Sequence, residues 1–286
     1  MKIQHVTVIG AGTMGHGIAQ IAAQAGCNVH LYDVTSGLVD KAIVRIRRNL
    51  EKGVEKHKLT TRERDLTLSR IHSAGSMSQA CQGADLVVEA VPEKMELKQA
   101  LFTEVAGMVS PTCILATNTS SLSIAGIASV LPNPERVVGT HFFNPVFVMK
   151  LLELVHHDGT SPEVLAAVQA WGHSMDKECI VVRDSPGFAT SRLGICLGME
   201  AIRMLEEGVA SAEDIDKAMV LGYRHPVGPL KLTDMVGLDV RLSIGEYLAQ
   251  ALDNPAFAPP ALLRELVERG DLGQKTGQGF YAWPSP

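Results

Sequence analysis

The chain opens on an apolar run, Val6, Val8 and Ile9, that alternates with polar residues and predicts a strand. Ile18, Ala19, Ile21, Ala22 and Ala23 follow at the spacing of a helix of small residues, and 28–32 predicts a second strand. From about 37 to 58, Ile43, Ile46, Leu50 and Val54 form the apolar stripe of a longer helix. Thr60 to Glu63 has the form of a capping box opening a short helix. The run 85–91 predicts a buried strand ended by Pro92, and 96–108 an amphipathic helix. Strands are expected at 113–116, 136–140, 149–155 and 179–182. Ser161-Pro162-Glu163 starts a helix by its cap and its Pro in the first turn. Beyond Asp184 the pattern is helical throughout, over roughly 187–206, 211–221, 230–252 and 259–269. Ser211 caps the second of these helices, and Gly222, Pro226, Gly228 and Pro229 punctuate the turns.

Strands alternating with helices predict a doubly wound parallel α/β sheet, with ligands beyond the carboxyl ends of its strands. Gly10-Ala11-Gly12-Thr13-Met14-Gly15 sits between the first strand and the first helix. That order of strand, tight turn and helix is the dinucleotide-binding fingerprint, and it makes the sheet Rossmann-type. Gly10 would permit the turn, Gly12 would let backbone N–H groups approach a diphosphate, and Gly15 would let helix and strand pack closely. Asp33 closes the second strand, about 20 residues on, where a carboxylate can hold ribose hydroxyls. It would repel a 2′-phosphate, and Val34-Thr35-Ser36 offer no Arg to receive one, so NAD is favoured over NADP. The boundary is expected near Ser185, with 1–184 the nucleotide domain and 185–286 an all-helical domain. Its apolar helix 195–205 is oily for one small domain and predicts a homodimer interface there.

Composition narrows the function classes. The 286 residues are 46% hydrophobic, enough for a full core, and carry a net charge of −5, which excludes generic nucleic-acid binding. The five cysteines form no CxxC pair, so reduced thiols in a cytoplasmic protein are expected. No run is apolar enough to span a bilayer, and a fold that begins near Ile3 leaves no room for a targeting peptide. No His/Cys cluster has metal-ligand spacing, so no metal is expected. Against the acidic total, 41–58 holds seven Lys/Arg beside Glu51 and Glu55. A solvated helix face is the plain reading, and a grip for a polyanionic substrate the sharper one.

Two strand ends carry candidate chemistry. Asn118-Thr119-Ser120-Ser121 follows one, and His141-Phe142-Phe143-Asn144-Pro145 ends another, with Glu153 downstream. A histidine in such a crevice can act as general base. Glu153 can hold its other nitrogen if 144–149 loops back. Each residue alone suits a structural role, and convergence of Ser120, His141, Asn144 and Glu153 on one crevice favours the catalytic reading.

These segments resemble the L-3-hydroxyacyl-CoA dehydrogenase family over essentially the whole length, and its short-chain 3-hydroxybutyryl-CoA branch in particular. The likeness is carried by VIGAGTMGHGIA, DLVVEAVPEKMELKQALF, ATNTSSLSI, GTHFFNPVFVMKLLELV, DSPGF, HPVGPLKLTDMVGLDV and GQKTGQGFY. The resemblance implies reversible NAD-dependent oxidation of (S)-3-hydroxyacyl-CoA thioesters. In it His141 is the catalytic base, Glu153 its partner, Ser120 the contact to the substrate's 3-oxygen, and Asn144 a contact to nicotinamide and substrate. Glu93, Lys98 and Lys275 match cofactor-contacting positions, and Asn118 belongs with Ser120 on the cofactor wall. Asn49 and Lys56, with Lys52, match positions that touch CoA, which raises the grip reading of the basic helix. Where the family commonly has an active-site Asn after PGF, Ser191 presents a single hydroxyl, which weakens the expected orientation of the substrate. A sugar-acid dehydrogenase of the same superfamily would use the NAD domain and the His–Glu pair without CoA. A catalytically silent NAD-binding protein is the alternative from another class.

Overall fold

The structure, a computed structural model, describes residues 2–35 and 37–284, so Ser36 lies outside the described residues. The chain divides into two compact units at the Ser185–Pro186 bond. In the first unit, eight strands form one sheet in the order β3-β2-β1-β4-β5-β6-β7-β8. They are β1 (His5–Ile9), β2 (Asn28–Tyr32), β3 (Ile71–Ser73), β4 (Leu86–Glu89), β5 (Ile114–Thr117), β6 (Val137–Phe142), β7 (Leu151–His156) and β8 (Glu178–Arg183). The order reverses between β1 and β4, which opens a crevice at the carboxyl ends of those two strands. Among the described residues, seven α-helices connect the strands: α1 (Gly15–Gln24), α2 (Leu38–Glu55), α3 (Thr61–Ser69), α4 (Met77–Cys81), α5 (Met95–Ala106), α6 (Ile124–Ala128) and α7 (Pro162–Ser174). Residues of β4, β5 and β6 are all buried, as continuous apolar runs between two helical layers require. The expected Thr60 capping box is present, with Glu63 N donating to Thr60 Oγ1 and Thr60 N to Glu63 Oε2.

Two features of the sheet depart from the expectation. β3 is only three residues long and too short to announce itself by alternation. The sheet is not parallel throughout: β7 runs antiparallel to β6, and β8 runs parallel to β7. The connection from β6 to β7 holds eight residues and no helix, too short for the crossover a parallel neighbour needs.

The second unit is helical: α8 (Thr190–Glu206), α9 (Ala212–Lys217), α10 (Pro229–Val236), α11 (Leu238–Ala251) and α12 (Ala261–Glu268). The single helix expected over 230–252 is two helices. Gly237, at φ 107°, takes a backbone conformation closed to residues with a side chain, and it separates α10 from α11. The apolar face of α8 also differs from the expectation. Ile195, Met199, Ala201 and Ile202 fill the core of this unit with Leu230, Leu238, Leu248 and Leu263, so its oiliness belongs to the unit's own packing. No helix among the described residues is long and apolar enough to cross a membrane.

Candidate active site

The glycine turn follows directly from β1. Gly10 has φ 102°, and a Cβ there would lie 2.6 Å from the Ala90 carbonyl oxygen. A Cβ on Gly15 would lie 1.7 Å from the carbonyl oxygen of Gly10. The fold itself demands both glycines. Gly12 is different: a Cβ there would meet nothing within 4 Å. Its bare backbone faces open space, which a diphosphate approaching the turn would use. Helix α1 starts at Gly15, and Met14 before it offers no side-chain cap to the first-turn N–H groups. Thr13 is exposed and Met14 half-buried on the same turn. Asp33, just past β2, takes the Ala11 N–H on one oxygen at 2.8 Å and the Thr35 N–H on the other at 2.8 Å. The expected ribose carboxylate is therefore bound to the backbone of the glycine turn.

The ends of β4 and β5 carry a polar network. Glu89, fully buried, accepts from Val91 N at 2.6 Å, from Thr117 Oγ1 at 2.7 Å and from Lys98 Nζ at 2.7 and 2.9 Å. Lys98 Nζ also lies 3.3 Å from Glu93 Oε2. The other oxygen of Glu93 gathers the turn after β5: Thr119 Oγ1 donates at 2.5 Å, Ser120 N at 2.9 Å, Ser120 Oγ at 3.3 Å and Ser121 N at 3.3 Å. Burial pushes the Glu93 carboxyl up, but Lys98 and the hydrogen bonds from Thr119 and Ser120 outweigh it and hold the group below the ordinary carboxylate range. The Lys98 side chain has 0% exposure, and its ammonium faces two carboxylates in the interior. Asn118 binds its own scaffold, its N–H on Glu89 O and its Oδ1 on Phe142 N at 3.0 Å, so it joins the turn to β6.

His141 and Glu153 are register partners across the antiparallel β6–β7 pair, so both side chains rise from one face of the sheet. Nδ1 of His141 lies 2.6 Å from Oε2 of Glu153, which is fully buried. The ring of Phe143 packs on the imidazole with centroids 4.4 Å apart. Asn144 is exposed at the start of the β6–β7 connection, and Lys177 ties that connection down by donating to the carbonyls of Val146 at 2.5 Å and Met149 at 2.6 Å. Apart from these residues, Asn49 on α2 is half-buried and donates to Gln20 Oε1 at 3.2 Å. Lys52 and Lys56 are exposed, and no Lys or Arg of 41–58 is in an ion pair among the described residues. In the second unit Ser191 lies in the first turn of α8, and Lys275 binds both Asp239 oxygens at 2.5 and 2.6 Å.

Sequence reasoning passed over Glu89, Thr117, Thr119 and Lys177. Glu89 did carry a signal, as a lone charge inside an apolar strand. A carboxylate there needs a buried cation, and Lys98 is the one that reaches it.

A family model described as 3-hydroxyacyl-CoA dehydrogenase, NAD binding domain, matches residues 5–185, and its C-terminal domain counterpart matches 187–283. The chain belongs to the 3-hydroxyacyl-CoA dehydrogenase family. Like its family, it is an NAD-dependent dehydrogenase, and the glycine turn lies in its NAD-binding domain. Among the relatives of this dehydrogenase, a probable 3-hydroxybutyryl-CoA dehydrogenase from Bacillus subtilis is 43% identical over 281 residues, 98% of each chain. A 3-hydroxybutyryl-CoA dehydrogenase from Mycobacterium tuberculosis is 39% identical over 283 residues, covering 98% of this chain and 99% of the relative. The crystal structure of (S)-3-hydroxybutyryl-CoA dehydrogenase from Ralstonia eutropha superposes with a TM-score of 0.96 at 40% identity, over 99% of this chain and all of that one.

Proposed function

We propose that this dehydrogenase interconverts short-chain (S)-3-hydroxyacyl-CoA and 3-oxoacyl-CoA thioesters, the four-carbon 3-hydroxybutyryl form foremost, with His141 as the general base. The observation that carries the assignment is the 2.6 Å contact between His141 and a fully buried Glu153. Glu153 fixes the ring by its Nδ1, so Nε2 is the nitrogen that takes the proton of the 3-hydroxyl. NAD, when bound, would supply the acceptor for the hydride of C3 as that proton leaves. The imidazolium that forms gains a buried counter-charge, which favours the transition state over the ground state. Ser120 steadies the developing alkoxide, and Asn144 orients the substrate against the nicotinamide.

Gly10, Gly12, Thr13, Met14 and Gly15 would hold the cofactor's diphosphate, and Asp33 its ribose. The position of Asp33 beside the glycine turn supports NAD over NADP. Lys52 and Lys56, with Asn49, would meet the phosphates of CoA. Their freedom from ion pairs supports this over the sugar-acid alternative, which has no polyanion to hold. The names of the similar proteins support the four-carbon acyl group. We also place the enzyme in the cytoplasm, a reading supported by its five free cysteines, and as a homodimer. The exposed Leu193, Leu221 and Tyr223 of the second unit support the dimer.

The deciding experiment is a turnover screen of 3-oxoacyl-CoA substrates from four to sixteen carbons with NADH and NADPH, repeated with His141→Ala. Rapid NADH oxidation on the four-carbon substrate, lost in the variant while NADH still binds, is the expected result. Equal turnover by the variant would defeat the assignment.

A further inference from the structure

We infer that the buried Glu89–Lys98 pair is a positioning device for the reaction: it holds Glu93 as an anion, and Glu93 in turn holds the Ser120 turn in its working shape. The inference rests on the reading of Ser120 as the contact to the substrate's oxygen.

Charge balance makes the case. Glu89 and Lys98 are both 0% exposed and satisfy each other at 2.7 and 2.9 Å. A buried ion pair is weak support for stability, since two apolar side chains of similar volume are often as stable or more so. The pair therefore calls for a use beyond filling space. Lys98 has one: its ammonium reaches 3.3 Å past Glu89 to Oε2 of Glu93. Two carboxylates thus share one cation, and the second of them lies at the crevice, with its side chain 37% exposed. Its other oxygen, Oε1, takes donors from three successive residues, Thr119, Ser120 and Ser121. A single oxygen gathers that many donors well only as part of a carboxylate, because charge-assisted hydrogen bonds are roughly twice as strong as neutral ones. The groups facing Glu93 are the Lys98 ammonium from α5, Glu89 from β4 behind it, and the hydroxyls and N–H groups of 119–121 after β5. With the ammonium gone, burial would act on Glu93 with less opposition and would favour the protonated acid, which holds the turn loosely.

Lys98→Met alone would strand Glu89 as an unpaired buried charge, and it could fail to fold for that reason. The test is the double variant Glu89→Gln, Lys98→Met, which removes both charges and leaves an amide oxygen to accept from Val91 N or Thr117. Amide exchange at Ser120 and Ser121 is measured at pH 6 and pH 8, together with kcat on acetoacetyl-CoA. In the wild type, Glu93 is ionised at both pH values and protection at these amides is the same. In the double variant, protection and kcat should both fall below the wild type, and further at pH 6 than at pH 8, because Glu93 without its ammonium takes up a proton more readily. Glu93→Gln in the wild-type background should show the loose turn at both pH values. A folded double variant with wild-type protection and wild-type kcat at both pH values would overturn the inference and leave the pair a structural filler. Lost protection with unchanged kcat would keep the relay from Lys98 to the turn and would overturn the assignment of Ser120 to the substrate.

Discussion

Glu153→Gln tests the catalytic pair with little change of shape. Glu153 is fully buried, and the substitution preserves its volume while removing its charge. The Oε2–Nδ1 distance of 2.6 Å puts the centres of the carboxylate and imidazolium charges roughly 4 Å apart. At an effective dielectric of about 20, unit charges at that separation attract by about 4 kcal/mol. This attraction exists only once the imidazole has taken the proton, so its loss falls on the transition state. Each 1.36 kcal/mol is a factor of ten in rate, so the ceiling on the effect is nearly a thousandfold in kcat. The retained amide oxygen can still accept from the ring, so the expected loss is between about thirtyfold and that ceiling. The assay is steady-state reduction of NAD with saturating (S)-3-hydroxybutyryl-CoA, the direction in which His141 takes the proton, beside a fluorescence titration of NADH binding and a thermal melt. Affinity for NADH should be unchanged, because Glu153 lies on the strand pair that bears the base and not at the glycine turn. A folded variant whose kcat is within threefold of wild type would refute the reasoning. So would a change confined to KM, which would mark Glu153 as a binding group.

Two further outcomes follow from the same geometry. Gly12→Ala should melt near the wild-type temperature yet bind NADH at least about tenfold more weakly, whereas Gly15→Ala should lose the fold, since its methyl would sit 1.7 Å from a backbone oxygen; paired melts and titrations check this, and equal destabilisation of the two would contradict it. Reversing charge at Lys52 and Lys56 together should raise KM for the CoA thioester about tenfold or more at low salt, and hardly at all for a pantetheine thioester without the nucleotide phosphates; equal shifts for both substrates would remove the CoA grip.

Most of the first unit was legible because its pattern is loud. Continuous apolar strands, helical stripes and a glycine turn in the right context need no tertiary information. The failures share a cause, which is that they depend on contacts distant in sequence. β3 exists because β2 offers it an edge, not because Ile71, His72 and Ser73 favour a strand. The apolar residues of α8 suggested an unpartnered surface only because the helices that cover them could not be placed in advance. Lys98 was legible only as a match to a cofactor-contacting position, and only the fold shows that β4 brings Glu89 within 2.7 Å of it. Glu153 was legible in principle, given a loop that returns, but the antiparallel pairing that makes it face His141 is a property of eight connecting residues with no repeating pattern to read.

That pairing has a consequence for how the site can vary. His141 and Glu153 meet because the ladder between their strands sets them opposite one another, and alternate residues of a strand point to opposite sides of the sheet. A slip of one position would therefore send the acid to the far face and put Leu152 or Leu154 beneath the imidazole, whereas the exposed residues 147–150 could be exchanged so long as the ladder kept its alignment. Aim of the base is thus a property of main-chain hydrogen bonding, in place before any ligand arrives, and the exposed end of the connection is left to diversify.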